Sequence, residues 1–241
     1  MASGESIIQP DSESSGETSG THATGRTASS GQTSGLPATG RIISDRTLYL
    51  LCGGGSRRMG RDKALLPFGE GTLLEHQINK CVDAFFEIVL LSGIRRYPVD
   101  LRHLPDVMED AGPLSGLLAA LEDPAAHQSS AHTSDTLALM AIDLPEVSTA
   151  TLRQLATGVI PDGHEALIAE PDASGEETRQ QPLLGIYDRS ITSRLRDYLQ
   201  AGRRSVRGFL RQINPATFRV AAAEIRNVNT EAEYRKLTNR P

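Results

Sequence analysis

The residues best suited to chemistry form a glycine-rich run with several cations, directly after the short apolar segment Thr47–Cys52. Consecutive glycines let backbone N–H groups approach an anion, and arginine and lysine side chains can neutralise phosphate charge. A Walker loop needs glycine directly before its lysine, but in this chain Asp62 precedes Lys63. The dinucleotide fingerprint needs a third glycine at the position of Arg58. Neither motif is therefore present. We therefore predict a polyphosphate cradle of another type, the alternative being a tight turn between a strand and a loop. The run reads Gly53-Gly54-Gly55-Ser56-Arg57-Arg58-Met59-Gly60-Arg61-Asp62-Lys63.

A second candidate is the carboxylate of Asp143, which begins an Asp-Leu-Pro sequence directly after the apolar segment Leu137–Ile142. A carboxylate at the carboxyl end of a strand can bind Mg²⁺ through one or two oxygens while triphosphate oxygens fill other positions. The alternative is that Asp143 caps a helix or pairs with an arginine. Beside a polyphosphate cradle on a neighbouring strand, metal ligation is the favoured hypothesis.

Asp106 and the Gly-Pro-Leu-Ser-Gly segment Gly112–Gly116 lie between these two motifs in the chain. Proline after glycine gives a rigid turn and a helix start that a ligand can approach closely. The segment therefore predicts either a third ligand-facing element or the ordinary beginning of a helix.

The elements that must position these groups alternate between short apolar strands and amphipathic helices. This alternation predicts an α/β fold with three layers, in which a doubly wound, mostly parallel sheet lies between helices. Ligands bind such sheets at the carboxyl ends of the strands, where the strand order reverses. The predicted strands are Thr47–Cys52, Glu87–Ser92, Leu137–Ile142, Ala166–Glu170 and Leu183–Tyr187.

Helical spacing of apolar residues, together with capping residues, marks the predicted helices. One helix carries Leu74, Ile78, Cys81, Val82 and Phe85 on its apolar face, and another follows the turn at Gly112 as far as Leu121. A third spans Ser148–Gly158, with Ser148 as N-cap and Gly158 as the stop. The last carries Ile191, Leu195, Tyr198 and Leu199 before Gly202.

The N-terminal segment differs in composition from the rest of the chain. About half of residues 1–40 are Ser, Gly or Thr, and such a segment buries too little apolar surface to offset its ordering entropy. We therefore predict a disordered segment over residues 1–45 and a single domain over residues 46–241. The segment has no apolar stretch of the signal-peptide type.

Composition excludes several classes of protein. The 241 residues carry a net charge of −5 and only two cysteines, too few for a disulfide framework, and no Cys/His spacing is typical of structural zinc. No apolar run approaches the roughly 18–20 residues of a membrane span. A mildly acidic chain without a basic, aromatic-rich patch does not favour nucleic acid. We expect a cytoplasmic domain that binds neither nucleic acid nor membrane.

Taken together, these motifs resemble the molybdenum cofactor guanylyltransferase family of nucleotidyltransferases. The family pattern is Leu-Ala-Gly-Gly-x-Ser-x-Arg-Met-Gly-x-Asp-Lys, then Asp…Gly-Pro-Leu-x-Gly, then Asp-x-Pro. This chain matches it, in that order, at Leu51–Lys63, Asp106, Gly112–Gly116 and Asp143–Pro145. The segments Gln181–Tyr187, Gly202–Leu210 and Asn227–Thr230 are similar to later family motifs, so that the resemblance covers about residues 47–238.

The resemblance implies a role for each matching residue and a glycosyltransferase-A-like, Rossmann-type nucleotidyltransferase fold. Two departures are Cys52, where the family usually has alanine, and Ser92, where it often has asparagine. Gly53 stands where related cytidylyl enzymes tend to have alanine, which favours guanine. The implied roles are guanine and ribose contacts for Leu51, Cys52 and Gly53; phosphate contacts for Gly54, Gly55, Arg58 and Lys63; polar nucleotide contacts for Ser92 and Asp106; and Mg²⁺ ligation for Asp143.

The implied reaction transfers GMP from GTP to the terminal phosphate of molybdenum-bound molybdopterin and releases pyrophosphate, with Mg²⁺ as cofactor. Molybdoenzymes or cofactor-delivery proteins are possible partners. The alternatives are a cytidylyltransferase for the same acceptor, a sugar-phosphate nucleotidylyltransferase, and a nucleotide-binding protein without turnover. A basic cluster near one face of a predicted helix is either a solvated surface or a docking site for the pterin phosphate or an acidic partner. It comprises Arg203, Arg204, Arg207 and Arg211.

Deletion of residues 1–45 should leave the thermal midpoint and the turnover rate nearly unchanged, because this segment contributes little apolar surface to a core. Scanning calorimetry and a turnover assay on the truncated and full-length chains test this expectation. A large loss in either quantity would show that the segment takes part in the folded structure.

Overall fold

A seven-stranded sheet forms the centre of the molecule in the computed structural model, which describes residues 44–52, 61–127, 135–172 and 180–238. The strands of the molecule are β1 (Leu48–Leu51), β2 (Pro67–Phe68), β3 (Gly71–Thr72), β4 (Ile88–Leu91), β5 (Arg102–Leu104), β6 (Thr136–Ala141), β7 (Ala166–Pro171), β8 (Gln181–Asp188) and β9 (Pro215–Val220). The strand order in the sheet is β5-β4-β1-β6-β8-β7-β9, and β2 and β3 form a separate two-stranded hairpin.

Helices cover both faces of the sheet, giving three layers. The helices are α1 (Leu73–Cys81), α2 (Pro113–Leu121), α3 (Thr149–Thr157), α4 (Thr192–Gln200), α5 (Val206–Leu210) and α6 (Glu231–Thr238). Apolar residues of α1 and α3 pack with Leu48 and Leu50 on one face, and those of α2, α4 and α5 pack with Tyr49 and Leu51 on the other. No helix in the described part of the chain is long and apolar enough to cross a bilayer.

Strand β1 lies in the middle of this arrangement, and its four residues are all buried. It pairs in parallel with β4 on one side and with β6 on the other. A parallel strand covered by helices on both faces needs apolar residues at every position rather than at alternate ones. The continuous apolar run that predicted this strand therefore has a direct structural cause, and the predicted three-layer α/β fold is confirmed.

Helix α3 shows how closely capping residues define an element. It begins after Ser148, whose hydroxyl accepts a hydrogen bond from the backbone N–H of Thr151, and it ends at Gly158. Both ends were predicted.

Helix α1 is shorter than its apolar pattern predicts. It ends at Cys81, so that Val82 and Phe85 lie beyond it, although Phe85 is still buried in the core.

Strand β8 departs from the purely parallel pattern, because it runs antiparallel to both β6 and β7. Its connection to β7 spans residues 172–180. Parallel neighbours need a crossover of about a dozen residues or more, so that a connection this short returns the chain in the opposite direction. The strands β5 and β9 were not predicted, since Arg102–Leu104 and Pro215–Val220 lack a clear apolar pattern.

The basic segment is less helical than predicted. Ser205 caps α5 by accepting a hydrogen bond from the Gly208 N–H, so that the helix begins only at Val206. Arg203 and Arg204 therefore lie in the turn before the helix and Arg211 follows it. The expectation that the four arginines share one helix face was wrong.

Two glycines bring α2 close to the carboxyl end of β1. Gly112 has φ +66° and ψ −155°, a conformation that side-chain-bearing residues rarely adopt, and Pro113 follows as the first helical residue. A Cβ on Gly116 would lie 2.5 Å from Leu51 Cδ1. The Gly-Pro-Leu-Ser-Gly segment is thus a helix start, as predicted, that packs directly on the strand preceding the glycine-rich run.

The strand order reverses at β1. The chain passes from β1 outward through β4 to β5 and then returns to β6 on the other side of β1. Crevices at the carboxyl ends of such strands are where open α/β sheets bind ligands. Asp143 lies two residues beyond β6, at this position.

Arg46 ties the start of the folded region to the end of α3. Its guanidinium donates to the carbonyl oxygens of Leu155 and Ala156, both at 2.7 Å, and of Gly158 at 2.9 Å. Carbonyls at a helix C-terminus have no partner within the helix, so a cation there supplies both charge and donors. Arg46 is buried, and this burial lowers the pKa of its guanidinium.

Substitution Arg46→Met should reduce the free energy of unfolding by about 2–4 kcal/mol, because it leaves the C-terminal carbonyls of α3 without their donors. Urea unfolding measures the change. Arg153→Met, at an exposed position on α3, is the matched control and should change the free energy of unfolding by less than about 0.5 kcal/mol. Equal effects of the two substitutions would contradict the role assigned to Arg46.

Candidate active site

Lys63, Asp143 and Asn229 meet at the carboxyl end of the sheet. Lys63 Nζ lies 3.4 Å from Asp143 Oδ2 and donates a hydrogen bond to Asn229 Oδ1 at 2.7 Å. The Lys63 and Asp143 side chains are each 17% exposed, so that the ion pair is largely shielded but still open to a ligand. Two residues predicted from separate motifs therefore share one site.

Asp62 positions the lysine. Its carboxylate accepts a hydrogen bond from the Ala64 N–H at 3.0 Å and thereby caps the short 3₁₀ helix Lys63–Leu65. The same carboxylate accepts from Arg95 Nη1 at 2.8 Å and from the Tyr97 hydroxyl at 3.1 Å. The connection between β4 and β5 thus fixes the turn that carries Lys63.

Tyr97 is suited to this anchoring role because it keeps its proton. Burial, and then the negative charge of Asp62, raise the pKa of Tyr97 above its ordinary value. The Tyr97 ring also stacks on His103, with centroids 6.1 Å apart. A phenol held in this way remains a hydrogen-bond donor to Asp62 throughout the physiological pH range.

The carboxylate of Asp143 has one oxygen paired and one unpaired. Oδ2 faces Lys63, whereas Oδ1 is buried without a hydrogen-bond partner among the described residues. Buried carboxylate oxygens without a partner are costly, and a cation ligand would remove that cost. The described residues contain no group of three or more His, Cys, Asp or Glu side chains arranged for a metal. This donor set fits Mg²⁺, which usually takes one or two carboxylates and fills its other positions with phosphate and water.

Ser92 and Asp106 lie on the other side of β1 from Asp143, at the ends of β4 and β5. Ser92 is buried, and its hydroxyl lies 3.3 Å from His103 Nδ1. Asp106 approaches the backbone at Gly93, where a Cβ would lie 3.0 Å from Asp106 Oδ2. Partial desolvation raises the pKa of Asp106. These two polar groups form a second part of the crevice, separate from the Lys63–Asp143 pair.

Leu51 and Cys52 lie between these two parts, at the end of β1. Their side chains belong to the cores on opposite faces of the sheet, so that any nucleotide contact here comes mainly from the backbone. Burial strongly raises the pKa of the Cys52 thiol. A thiol that stays protonated is a poor nucleophile, and Cys52 has the environment of a packing residue.

Four predicted nucleotide-binding residues lie outside the described residues. The structure describes Cys52 and Arg61 on either side of this segment, but not the segment itself. The roles of these residues therefore stay predictions from the sequence. They are Gly53, Gly54, Gly55 and Arg58.

Asn229 was not among the predicted site residues, although it lies in the Asn-Val-Asn-Thr motif. The contact with Lys63 joins residues 166 positions apart, a pairing that local sequence patterns do not indicate. Glu233 Oε2 accepts hydrogen bonds from the N–H groups of Asn229 and Thr230 at 2.8 and 2.9 Å. The Val228 N–H also donates to the Asp143 carbonyl at 2.9 Å, which fixes the motif beside the site.

Comparison with known proteins identifies the family of this chain. A family model described as the MobA-like NTP transferase domain matches residues 48–217. The chain belongs to the MobA-like NTP transferase family. The resemblance inferred from the motifs is thereby confirmed, and nucleotidyl transfer is the activity class of the family.

Individual relatives match most of the chain. A probable molybdenum cofactor guanylyltransferase of Bacillus cytotoxicus is 30% identical over 201 residues, covering 78% of this chain and 94% of the relative. A molybdenum cofactor guanylyltransferase of Haemophilus influenzae is 29% identical over 197 residues, covering 78% and 94%. Among solved structures, molybdopterin-guanine dinucleotide biosynthesis protein A from Archaeoglobus fulgidus shares the fold. Its TM-score is 0.61 at 21% identity, covering 80% of this chain and 96% of that one.

In this NTP transferase, two arginines of the basic cluster have local structural contacts. Arg204 Nη1 donates to the Leu199 carbonyl at 2.6 Å, near the end of α4. The Arg203 guanidinium lies 5.6 Å from the centroid of the Tyr198 ring, within the range of a cation–π contact. All four arginines of the cluster are exposed. The cluster is therefore partly structural, and a role in docking stays a prediction.

Substitution Asp62→Ala should lower the free energy of unfolding by about 1–2 kcal/mol, since it removes the cap of the 3₁₀ helix and the acceptor for Arg95 and Tyr97. It should also weaken GTP binding, because the turn carrying Lys63 loses its anchor. Urea unfolding and titration calorimetry measure the two effects. Asp100→Ala, at an exposed position, is the control. Unchanged GTP affinity in a destabilised Asp62→Ala protein would limit Asp62 to a purely structural role.

Proposed function

We propose that this chain transfers GMP from GTP to the terminal phosphate of molybdenum-bound molybdopterin, producing the guanine dinucleotide cofactor and pyrophosphate. Family membership supports this choice, as do the names of the relatives, since the match covers 94% of the length of each. The observation that carries it is the meeting of Lys63 and Asp143 at the strand-order reversal, where Asp143 Oδ1 has no hydrogen-bond partner among the described residues. A cation beside a carboxylate in a crevice suits a metal-bound triphosphate.

The chemistry needs no protein nucleophile. A phosphate oxygen of the acceptor forms a new bond to the α-phosphorus of GTP, and the bond from that phosphorus to the α,β-bridging oxygen breaks. Pyrophosphate leaves with the electron pair. Because the attacking oxygen is already anionic, the protein contributes mainly positioning and charge neutralisation.

Lys63 supplies charge neutralisation in this scheme. Asn229 and Asp143 hold its ammonium group in the crevice before substrate arrives, so that little ordering is left for the binding step. A preorganised donor directed at developing charge is worth more in a shielded site than in water. Lys63 would stabilise the triphosphate and the departing pyrophosphate, and Arg58 is proposed to do the same from the segment before it.

Asp143 is the proposed metal ligand. Its Oδ1 accepts no hydrogen bond from any described residue, and when Mg²⁺ is bound there the ion would neutralise phosphate charge and act as a Lewis acid. Asp143 itself holds its place through its backbone carbonyl, which accepts from Val228, and through the ion pair with Lys63.

Guanine is the proposed base. Gly53 supports this choice by its position in the first motif, and Ser92 and Asp106 supply polar groups on the far side of β1. Ser92 offers a single hydroxyl group to the guanine edge. An asparagine at this position would offer two separate groups, an amide N–H₂ that donates and a carbonyl oxygen that accepts. Asp106 offers a carboxylate, which can accept from the ring and exocyclic N–H groups of guanine.

Incubation of the purified full chain with Mg²⁺, each nucleoside triphosphate in turn and one acceptor, either molybdenum-bound molybdopterin or a sugar phosphate, tests the proposal. Pyrophosphate should appear with GTP, and the product should be the guanine dinucleotide. Release with CTP alone would establish a cytidylyltransferase, and release only with a sugar phosphate as acceptor would establish a different transferase. Absence of release under every condition would favour a nucleotide-binding protein without turnover.

Substitution Asp143→Ala should lower kcat by at least about 100-fold, the scale for loss of one group that stabilises transition-state charge. Asp100→Ala, an exposed carboxylate, is the matched control and should keep full activity. Circular dichroism verifies that both variants are folded. Retention of activity by a folded Asp143→Ala protein would remove this residue from the proposed mechanism.

A further inference from the structure

Gln77 lies directly behind the turn that carries Asp143. Its side chain is fully buried on α1, on the face that also carries Leu73, Leu74 and Cys81. The Nε2 amide nitrogen donates to the Ile142 carbonyl at 3.2 Å and to the Leu144 carbonyl at 3.0 Å. One amide group therefore holds the carbonyls on either side of Asp143.

The packing of α1 gives no reason for an amide at this position. The neighbouring core positions of the helix are apolar, and an apolar side chain of the same length would fill the space without the cost of burying a polar group. Moreover, Gln77 Oε1 is buried and has no hydrogen-bond partner among the described residues. The side chain is thus used only through its two N–H groups.

Those two bonds restrain the peptide units that orient Asp143. The Ile142 N–H donates to the Leu51 carbonyl at 3.1 Å, and the Asp143 carbonyl accepts from Val228. Lys80, one turn further along α1, donates to the Pro145 carbonyl at 2.9 Å. With Gln77 in place, every carbonyl from Ile142 to Pro145 has a donor, so that the turn has little freedom to rotate the carboxylate.

We propose that Gln77 is a positioning residue that orients Asp143 toward the metal-bound triphosphate, an inference that rests on the proposed function. Groups that orient a metal ligand without touching the metal influence its affinity strongly, and their loss typically costs about 10- to 100-fold. Gln77 acts in this way from the helix behind the ligand, through the main chain rather than through the ligand side chain.

Substitution Gln77→Met tests the proposal, because methionine has a similar length and cannot donate a hydrogen bond. The affinity of the full-length variant for Mn²⁺ in the presence of GTP should fall by about 10-fold or more. The electron paramagnetic resonance signal of free Mn²⁺ measures this affinity. Asn79→Met places the same side chain at an exposed position on α1 and should bind Mn²⁺ as the unmodified chain does. Wild-type Mn²⁺ affinity in folded Gln77→Met would overturn the proposal.

The metal readout separates this inference from the proposed function, since it needs neither acceptor nor turnover. If the unmodified chain bound no Mn²⁺ with GTP, both would fail together. If the unmodified chain bound Mn²⁺ and Gln77→Met bound it equally well, only the positioning role would fail.

A measurement on the unmodified chain covers the case in which Gln77→Met does not fold. In the ¹⁵N-labelled protein, the side-chain amide signals of Gln77 should shift when Mg²⁺ is added to the GTP complex, because Asp143 then engages the ion. Addition of GTP with a chelator should leave those signals in place. Identical signals with and without Mg²⁺ in a protein that binds Mn²⁺ would overturn the proposal.

Discussion

The contact between Lys63 and Asp143 is the interaction on which the site depends. It joins two residues 80 positions apart, across the crevice where the sheet reverses its strand order. Each charged group is mostly shielded from water and therefore needs its partner. In the part of the chain that the structure describes, Asp143 Oδ1 nevertheless has no hydrogen-bond donor. The charges of Lys63 and Asp143 offset each other, but the carboxylate can still accept a further ligand. The site can therefore accept both an anionic ligand, at Lys63, and a cation, at Asp143.

The scaffold around this contact fixes main-chain geometry more than side-chain geometry. Asp62 caps the turn of Lys63, and Gln77 and Val228 hold the turn of Asp143. Strand β1, buried on both faces, brings these turns together by pairing with β6. Preorganisation of this kind suits a reaction in which the nucleophile is already charged and the protein contributes mainly alignment.

The sequence predicted what depends on local chemistry. Buried strands appear as continuous apolar runs, and Ser148 and Gly158 define both ends of α3, since capping requires those residue types at those positions. The sequence did not predict the antiparallel direction of β8, because that direction depends on the length of the connection before the strand. It did not predict β9 either, because β9 forms by pairing with the distant strand β7. Asn229 and Gln77 were missed for a related reason: one contact spans 166 residues, and a glutamine on an apolar helix face does not reveal which carbonyls it will meet.

The most direct test of the shared site is a crystal structure of the full chain with Mg²⁺ and a GTP analogue whose α,β-bridging oxygen is replaced by a methylene group. The account predicts Lys63 Nζ within hydrogen-bond distance of a phosphate oxygen and Asp143 Oδ1 bound to the metal of the same nucleotide. Nucleotide bound elsewhere, with the contacts among Lys63, Asp143 and Asn229 unchanged, would contradict it.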